Sequence, residues 1–289
     1  MGTPAKRLGF LFDADHLCQA VNFGMDTLLA DPLSLCIVAL GAFLAGGMNA
    51  LAGGGTFFSF PALLAAGVPP VTANASNTVA LWPASLSSAW VYRHELAKHR
   101  AWVMALTIVA FIGGICGGLL LLAISNQAFM QLVPWLLLLA TALFAFSKQI
   151  SLLVAKTKAR MGMLPNDDKP HSIGGLCFQF LVTVYGGFFG AGQGILTLAA
   201  LSIQGVQNLQ EMNALKNWIS GVTYTVSALT FIVAGAISWP YTLLMVGTAT
   251  LGGVAGARLA RYLPAIWLKR LVIAVGSGLT VIYFIKTTY

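Results

Sequence analysis

Three long apolar runs limit what this chain can fold into. Residues 101–123, 129–146 and 268–285 contain few or no charged side chains. A helix of about 20 such residues is long enough to cross the hydrocarbon core of a bilayer. The strands of an outer-membrane barrel instead alternate in polarity over about ten residues, so unbroken runs exclude that class. The runs therefore predict a helical membrane protein.

The composition supports the same class. Hydrophobic residues make up 58% of the chain and charged residues only 8%, whereas a soluble domain has roughly 25% charged residues. The net charge of +8 comes from Lys and Arg in short loops between apolar runs, which is the pattern of cytoplasmic loops. No basic face with interleaved aromatic residues is visible, so we expect a lipid bilayer and no nucleic acid as partner.

Two glycine-broken stretches in the two halves of the chain resemble each other. The first is GGGT at residues 53–56, which leads to the polar residues 74–78, and the second is GQG at residues 192–194, which leads to residues 213–217. Their offset of about 139 residues is the size of an internal repeat. Matched short, glycine-interrupted segments in two halves of a membrane protein are typical of a transporter's substrate site.

Ten apolar segments, five in each half, surround these breaks. We therefore predict an all-α, polytopic fold of two repeats, each with one short glycine-broken helix. The first repeat covers residues 33–147 and the second residues 172–289; a basic cytoplasmic loop at 148–171 links them, and an extension at 1–32 includes a candidate interfacial helix. The segments are 33–52, 57–66, 71–92, 101–123 and 128–147, then 172–190, 195–204, 210–236, 241–258 and 267–286.

The loop charges predict that the two repeats are inverted. The loops at 93–100, 148–171 and 258–270 contain three, five and four Lys or Arg residues, and those at 125–127 and 236–240 contain none. Basic loops lie in the cytoplasm. The third segment must then end inside and its counterpart, the eighth, outside. This places both termini outside an inner or plasma membrane.

Lys216 is the main candidate for a substrate contact. It lies at the start of an otherwise apolar segment, where a lysine is unfavourable by a few kcal/mol unless it faces a cavity or a partner. It could instead reach the interface with its flexible stem or pair with Glu211. Asn213 and Asn217 flank it on one helix face, which favours a cavity where a cation binds an anion.

The glycine breaks are the second candidate. Glycines let the backbone approach a ligand closely, and the start of a short helix, expected at Thr56 and at Ile195, offers N–H groups and partial positive charge to an anion. The alternative role, close helix packing by small residues, is the one we expect for Gly46 and Gly47. Residues 74–78 contain more polar side chains than a helix cap needs, so we expect further contacts with the substrate there. The complete predicted substrate site is Gly53, Gly54, Gly55, Thr56, Asn74, Ser76, Asn77, Thr78, Gly192, Gln193, Gly194, Asn213, Lys216 and Asn217.

The cysteines indicate no metal or redox chemistry. Cys18, Cys36, Cys116 and Cys177 form no CxxC pair, and we expect them to be small core residues without a disulfide. No catalytic residue, metal or cofactor is predicted.

The repeat signatures resemble a known family. Residues 46–55 (GGMNALAGGG), followed by FPALL, GVPP and residues 73–78, are similar to the first signature of the TauE/SafE sulfite exporter family. Residues 186–194 (GGFFGAGQG) with 213–217 resemble its second signature, which often carries a lysine where Lys216 stands. The resemblance spans roughly residues 35–285. It implies export, or sometimes uptake, of sulfite, organosulfonates or related organic anions.

The resulting functional prediction is a secondary transporter of small anions that works by alternating access. An anion channel, or an importer of a related sulfur-containing anion, remains the alternative. An intramembrane enzyme is disfavoured because no nucleophile–base pair or set of metal ligands stands out within the segments. A homodimer is compatible with the sequence.

Overall fold

The structure is a computed structural model that describes residues 32–51, 54–91, 96, 100–160, 173–204, 206, 208–259 and 265–288. The predicted interfacial helix in residues 1–31, and Gly53, lie outside these ranges. Ten helices follow one another in the described part: α1 Pro32–Leu51, α2 Thr56–Ala65, α3 Pro70–Val91, α4 Arg100–Ala123, α5 Asn126–Arg160, α6 Ile173–Phe188, α7 Gln193–Ile203, α8 Leu209–Val233, α9 Trp239–Leu259 and α10 Ala265–Thr288.

The helical membrane class is confirmed. Pro32–Asn49, Trp102–Ala123 and Asn126–Phe146 are each long and apolar enough to cross a bilayer. Large apolar side chains also cover the outer surface of the helices, and they are more than half exposed at Leu40, Met104 and Trp135. A soluble protein rarely exposes so much contiguous apolar surface, so lipid is its solvent.

The helices match the ten predicted segments to within three residues at every end except the end of α5. Helix α7 begins at Gln193, two residues before the predicted start at Ile195, because the break is confined to the glycines that precede it. Helix α5 continues to Arg160, through much of the predicted solvent loop. Residues 147–160 contain neither Gly nor Pro, the two residues that end helices most readily, and the first of them is Gly162.

Each repeat contains a helical hairpin built on its short helix. Helix α1 packs on α2, and α6 packs on α7. In the first hairpin Gly41 lies against Ala62 and Gly55 against Ala45, so the two helices run antiparallel. Helix α7 has 11 residues and is therefore about 17 Å long at 1.5 Å per residue. This is about half of the ~30 Å hydrocarbon core, so α7 alone is too short to cross the membrane.

The helix contacts occur in reciprocal pairs, as a two-fold relation between the two predicted repeats would require. Helix α1 packs on α9, and its repeat counterpart α6 packs on the counterpart α4. The pairs α3–α9 and α8–α4 correspond in the same way, and α3–α8 and α5–α10 each join equivalent helices. Any two-fold axis that exchanges the repeats requires such reciprocal pairs. The inverted orientation in the membrane stays a prediction from the loop charges.

Close glycine contacts hold the reciprocal pairs together. A Cβ at Gly46 would overlap the Ala249 carbonyl, and one at Gly252 would overlap the Phe43 carbonyl, so α1 and α9 are in backbone contact. In the reciprocal pair, Gly113 of α4 leaves no room for a Cβ beside Thr183 of α6. The expectation that Gly46 packs helices is confirmed, as small residues do in membranes.

The expectation that the cysteines are core residues is wrong for the three that the structure describes. Cys36, Cys116 and Cys177 are free and exposed on the helix surfaces, not buried. A lipid-facing surface is as apolar as the protein core, so a small apolar side chain carries no information about which of the two it occupies.

Candidate functional site

A cavity of about 100 Å³ lies where the two glycine breaks meet helix α8. The first repeat contributes the start of α2 and residues of α1 and α3. The second contributes the α6–α7 turn and one face of α8. The lining residues are Asn49, Gly54, Gly55, Thr56, Ser85, Gly190, Ala191, Gly192, Gln193, Gly194, Ile195, Leu198, Lys216, Asn217, Ser220 and Tyr224.

Two left-handed glycines shape the second break. Gly190 has φ 79° and Gly192 has φ 76°, a region that side chains with a Cβ rarely adopt. The intervening Ala191 is fixed because the Tyr185 hydroxyl donates a hydrogen bond of 2.6 Å to its carbonyl oxygen. The chain therefore turns tightly between α6 and α7, and its glycines bring the backbone to the edge of the cavity.

Lys216 reaches the cavity from the second turn of α8. Its stem packs beside Gly194, where an added Cβ would lie 3.6 Å from the lysine Cδ. The residues that line the cavity include no Asp or Glu. An isolated ammonium group in a nonpolar membrane interior is unfavourable without a counter-charge, so the lining supplies a positive site without a matching protein carboxylate.

A polar face of α8 continues from Lys216. Asn217, Ser220 and Tyr224 line the cavity at helical spacing. The Tyr224 hydroxyl lies at Gly190, where a Cβ would be 3.0 Å away, and the Thr56 side chain lies next to it. This face therefore joins the break of the first repeat to that of the second.

Gln193 presents an unsatisfied amide at the same break. The residue is 2% exposed, and neither its Nε2 nor its Oε1 has a hydrogen-bond partner among the described residues. Its amide lies against Gly186, whose lack of a Cβ makes the space. A buried amide without a partner costs free energy comparable to a lost hydrogen bond, so this group is poised for a polar solute or water.

Some of the backbone N–H groups at the helix starts already donate hydrogen bonds to nearby carbonyl groups. The Gln193 N–H donates to the Gly190 carbonyl at 3.2 Å, and the Ile195 N–H donates to the Gly192 carbonyl at 3.0 Å. In the first repeat the Phe57 N–H donates to Gly54 at 3.1 Å. The helix starts therefore offer an anion fewer free N–H groups than their sequence suggests, and the side chains carry more of the site.

The polar cluster at residues 74–78 lies beside the cavity, not in its lining. The Asn74 amide donates to the Phe188 carbonyl, where α6 ends, at 2.8 Å. The Ser76 hydroxyl accepts from the Ser238 N–H, at the start of α9, at 2.9 Å. The Thr78 hydroxyl donates to the Asn74 carbonyl within its own helix. Three of the four predicted contacts in this cluster thus satisfy backbone groups, two of them in the other repeat.

Asn77 is the repeat counterpart of Lys216, 139 residues earlier in the chain. Its Oδ1 accepts a hydrogen bond from the Ser59 hydroxyl, and its Nδ2 donates to the Thr56 hydroxyl at 3.4 Å. These bonds tie α3 to the start of α2. The two equivalent positions therefore have different roles: Asn77 connects α3 to α2, whereas Lys216 places a charge in the cavity.

Eight of the fourteen predicted substrate contacts thus lie together in the lining of one cavity. Gly54, Gly55, Thr56, Gly192, Gln193, Gly194, Lys216 and Asn217 line the cavity, whereas Asn74, Ser76, Asn77, Thr78 and Asn213 do not, and Gly53 lies outside the described residues. Sequence reasoning missed Asn49, Ser85, Ser220 and Tyr224. The last two continue the spacing of Asn213 and Lys216–Asn217 along one helix face, and that spacing was the available signal.

The comparisons with known proteins point to one family. The family described as sulfite exporter TauE/SafE matches residues 38–283. A "Probable membrane transporter protein" of Haemophilus influenzae is 27% identical over 230 residues, which cover 78% of this chain and 84% of that protein. The "Probable membrane transporter protein YfcA" of Escherichia coli K12 is 27% identical over 236 residues, covering 80% and 82%. The "Probable membrane transporter protein ORF9" of a Sinorhizobium species is 26% identical over 257 residues, covering 86% and 91%. No solved structure matches this chain.

Proposed function

Because the chain belongs to the TauE/SafE sulfite exporter family, we propose that this membrane transporter moves sulfite, an organosulfonate or a similar small anion by alternating access. The observation that carries the proposal is a cavity between the two repeats whose lining has one lysine and no carboxylate. A single fixed cation favours an anionic solute over a neutral or cationic one. Export is the direction that the family name implies.

The size of the cavity supports a small solute. Its volume is about 100 Å³, well below the roughly 300–1,000 Å³ of sites for drug-sized ligands. Sulfite and sulfonate groups present three acceptor oxygens in a compact head. Lys216, Asn217 and Gln193 offer amine and amide donors from two helices, which suits such a head.

The position of the cavity supports alternating access. The cavity lies at the turns of two hairpins whose short helices cover about half of the membrane thickness. Hairpins that enter from opposite sides, as the loop charges predict, bring both turns to one central site. Rocking of one repeat against the other would then open that site to each side in turn. The driving force in this proposal is the anion's own gradient and the membrane potential, with any coupled proton carried on the anion.

Flux in proteoliposomes tests the function. Purified protein is reconstituted, and uptake of sulfite, taurine, sulfate and acetate is followed with and without a pH gradient. We expect saturable flux of sulfite or a sulfonate. Absence of flux for every anion under every gradient would refute the proposal.

Substitution of Lys216 tests the site. We expect Lys216→Ala to weaken anion binding at least tenfold, because a charge-assisted hydrogen bond is worth about 1.5–3 kcal/mol. Lys286→Ala is the matched control, since Lys286 is exposed near the end of α10. Equal affinity of the Lys216 variant and the wild type, measured by calorimetry in detergent, would remove Lys216 from the site.

Counterflow separates a transporter from a channel. In an alternating-access carrier, a high anion concentration inside the vesicle accelerates entry of labelled anion from outside. A channel with the same cavity would show no such acceleration. The same assay in inside-out and right-side-out vesicles compares the two directions of transport.

A further inference from the structure

The contact between α6 and α7 differs in character from that between the other hairpin's helices. Two contacts fix its register. Gly186 lies against Gln193, and the Gln204 Nε2 donates to the Gly175 carbonyl at 3.3 Å. Eleven residues separate the two contacts along each helix, so the helices run antiparallel and stay in register over almost the whole length of α7. We call this contact the α6–α7 seam.

Polar groups without partners lie along the seam between these two contacts. Gln179 and Thr197 are each 0% exposed. Both amide atoms of Gln179 and the hydroxyl of Thr197 have no hydrogen-bond partner among the residues that the structure describes. The same is true of the Gln193 amide at one end and of the Gln204 Oε1 at the other.

Helical spacing places these groups on the facing surfaces. On α6, Gln179 lies four residues after Gly175 and seven before Gly186. On α7, Thr197 lies four residues after Gln193 and seven before Gln204. Residues at such spacings share one helix face. Helix α4 packs on an adjoining face of α6, where it contacts Thr183 and Val184.

The corresponding contact in the first repeat is apolar. Helices α1 and α2 meet through Gly41, Ala45, Gly55, Phe58 and Ala62. Phe58 is the counterpart of Thr197, since 139 residues separate them. Helix packing in a hairpin of this kind therefore does not require polar side chains, and their presence on the α6–α7 seam needs another reason.

Unsatisfied amides in a membrane interior are costly, so some partner must satisfy them during the working cycle. One end of the seam is Gln193, which lines the cavity beside Lys216. The other end is Gly175, close to the start of α6 and thus to the basic loop at 148–171 that we predict to be cytoplasmic. The seam is about 17 Å long, by the length of α7, and it connects the cavity with that side.

We propose that the α6–α7 seam is the access path between the cavity and the cytoplasm, along which water and a small oxyanion replace the missing hydrogen-bond partners. The inference rests on the proposed transport function and adds the route to it. Slight separation of α6 from α7 exposes Gln179 and Thr197 to that solution. The first hairpin, which is closed by apolar contacts, provides no equivalent path.

Cysteine accessibility tests the path without measuring transport. In a background with Cys18, Cys36, Cys116 and Cys177 replaced by alanine, single cysteines are placed at Gln179→Cys and Thr197→Cys. A small anionic thiosulfonate reagent is then applied to each membrane face separately. The matched control is Phe58→Cys, at the equivalent position of the apolar hairpin.

We expect both seam cysteines to react from the cytoplasmic face, at least about tenfold faster than the Phe58→Cys control, because thiolates react only where water reaches them. Excess methanesulfonate, a small sulfonate that would share the path and does not cleave the S–S bond of the reagent, should slow this labelling. Labelling of both seam cysteines no faster than the control, or labelling only from the outer face, would overturn the proposal.

Transport kinetics give a second test of the path. Thr197→Val and Gln179→Leu should lower the maximal flux about tenfold, as expected for loss of a polar group on the path, while equilibrium anion affinity at the Lys216 cavity stays unchanged. Thr141→Val is the control, because its buried hydroxyl also has no hydrogen-bond partner within the described ranges but lies against Gly276 in the α5–α10 contact. Equal flux for Thr197→Val and Thr141→Val would contradict the path.

The two proposals fail separately. If the wild type moves no anion, the proposed function fails, whereas cysteine labelling still reports whether the seam admits water. If the wild type transports and the seam cysteines stay unlabelled, only the path fails.

Discussion

Asn74 shows how one residue in the first repeat fixes the break in the second. Its amide donates a hydrogen bond of 2.8 Å to the carbonyl of Phe188. Phe188 is the last residue of α6 and adjoins the glycine turn. Asn74 itself is 0% exposed. A carbonyl at a helix end has no intrahelical donor, so Asn74 satisfies a group that water cannot reach.

We expect Asn74→Ala to lower the free energy of unfolding by about 1–3 kcal/mol, the cost of leaving a buried polar group without a partner. The measurement is denaturant unfolding in detergent. Thr230→Val is the control, because Thr230 donates only to the Val226 carbonyl of its own helix; we expect a change within about 0.5 kcal/mol. Similar values for both variants would show that the bond to Phe188 contributes nothing.

The roles of Asn74 and Ser76 also mark the limit of what sequence reasoning can give. Both were predicted as substrate contacts because a cluster of polar residues enters an apolar helix. Their partners, Phe188 and Ser238, lie 114 and 162 residues away. Residue type and local spacing predict that a polar side chain needs a partner in the membrane, but a distant backbone group and a ligand satisfy that need equally well.

The position of Lys216 in a cavity was predictable, because no nearby backbone group could satisfy its charge. Bonding to helix ends explains an asparagine or a serine, whereas a lysine within an apolar segment needs an anion, a cavity or the interface. The structure places it in the cavity with Asn217. The fold was predictable for a related reason, since the length of an apolar run determines whether it spans the membrane.

At the level of the element, the α6–α7 turn depends on the backbone of Gly192. Its φ of 76° is strained for any residue with a Cβ, and an added Cβ would meet Ala140 only at an ordinary 3.5 Å. The requirement for glycine here is therefore conformational and not a matter of space.

We expect Gly192→Ala to destabilise the protein by about 1–2 kcal/mol, the cost of a left-handed alanine, and to weaken anion binding because the turn lines the cavity. Gly247→Ala is the control. Gly247 lies within helix α9 with nothing near its Cβ position, so alanine should add up to about 1 kcal/mol of helix stability. Thermal unfolding of the two variants checks the opposite signs, and a shift in the same direction would be inconsistent with this account.

For the whole molecule, the reciprocal helix pairs are those that a two-fold relation between the predicted repeats requires, but they do not give the direction of its axis. An axis in the membrane plane gives inverted repeats that open to opposite sides, and an axis along the membrane normal gives parallel repeats. Reciprocal contacts such as α1–α9 and α4–α6 arise in both cases. Equivalent loops of the two repeats distinguish them, because inversion places them on opposite sides of the membrane.

The loop between α4 and α5 and the loop between α9 and α10 are such a pair, 139 residues apart at residues 125 and 264. The first has no Lys or Arg at residues 125–127, and the second has four at 258–270, so the positive-inside rule places them outside and inside. Short epitope tags inserted into the two loops should therefore be reached by antibody from opposite faces of oriented vesicles. A third tag at the N-terminus should be reached from outside. Access to both loop tags from one face would establish parallel repeats, and alternating access would then need a different explanation from the exchange of two inverted halves.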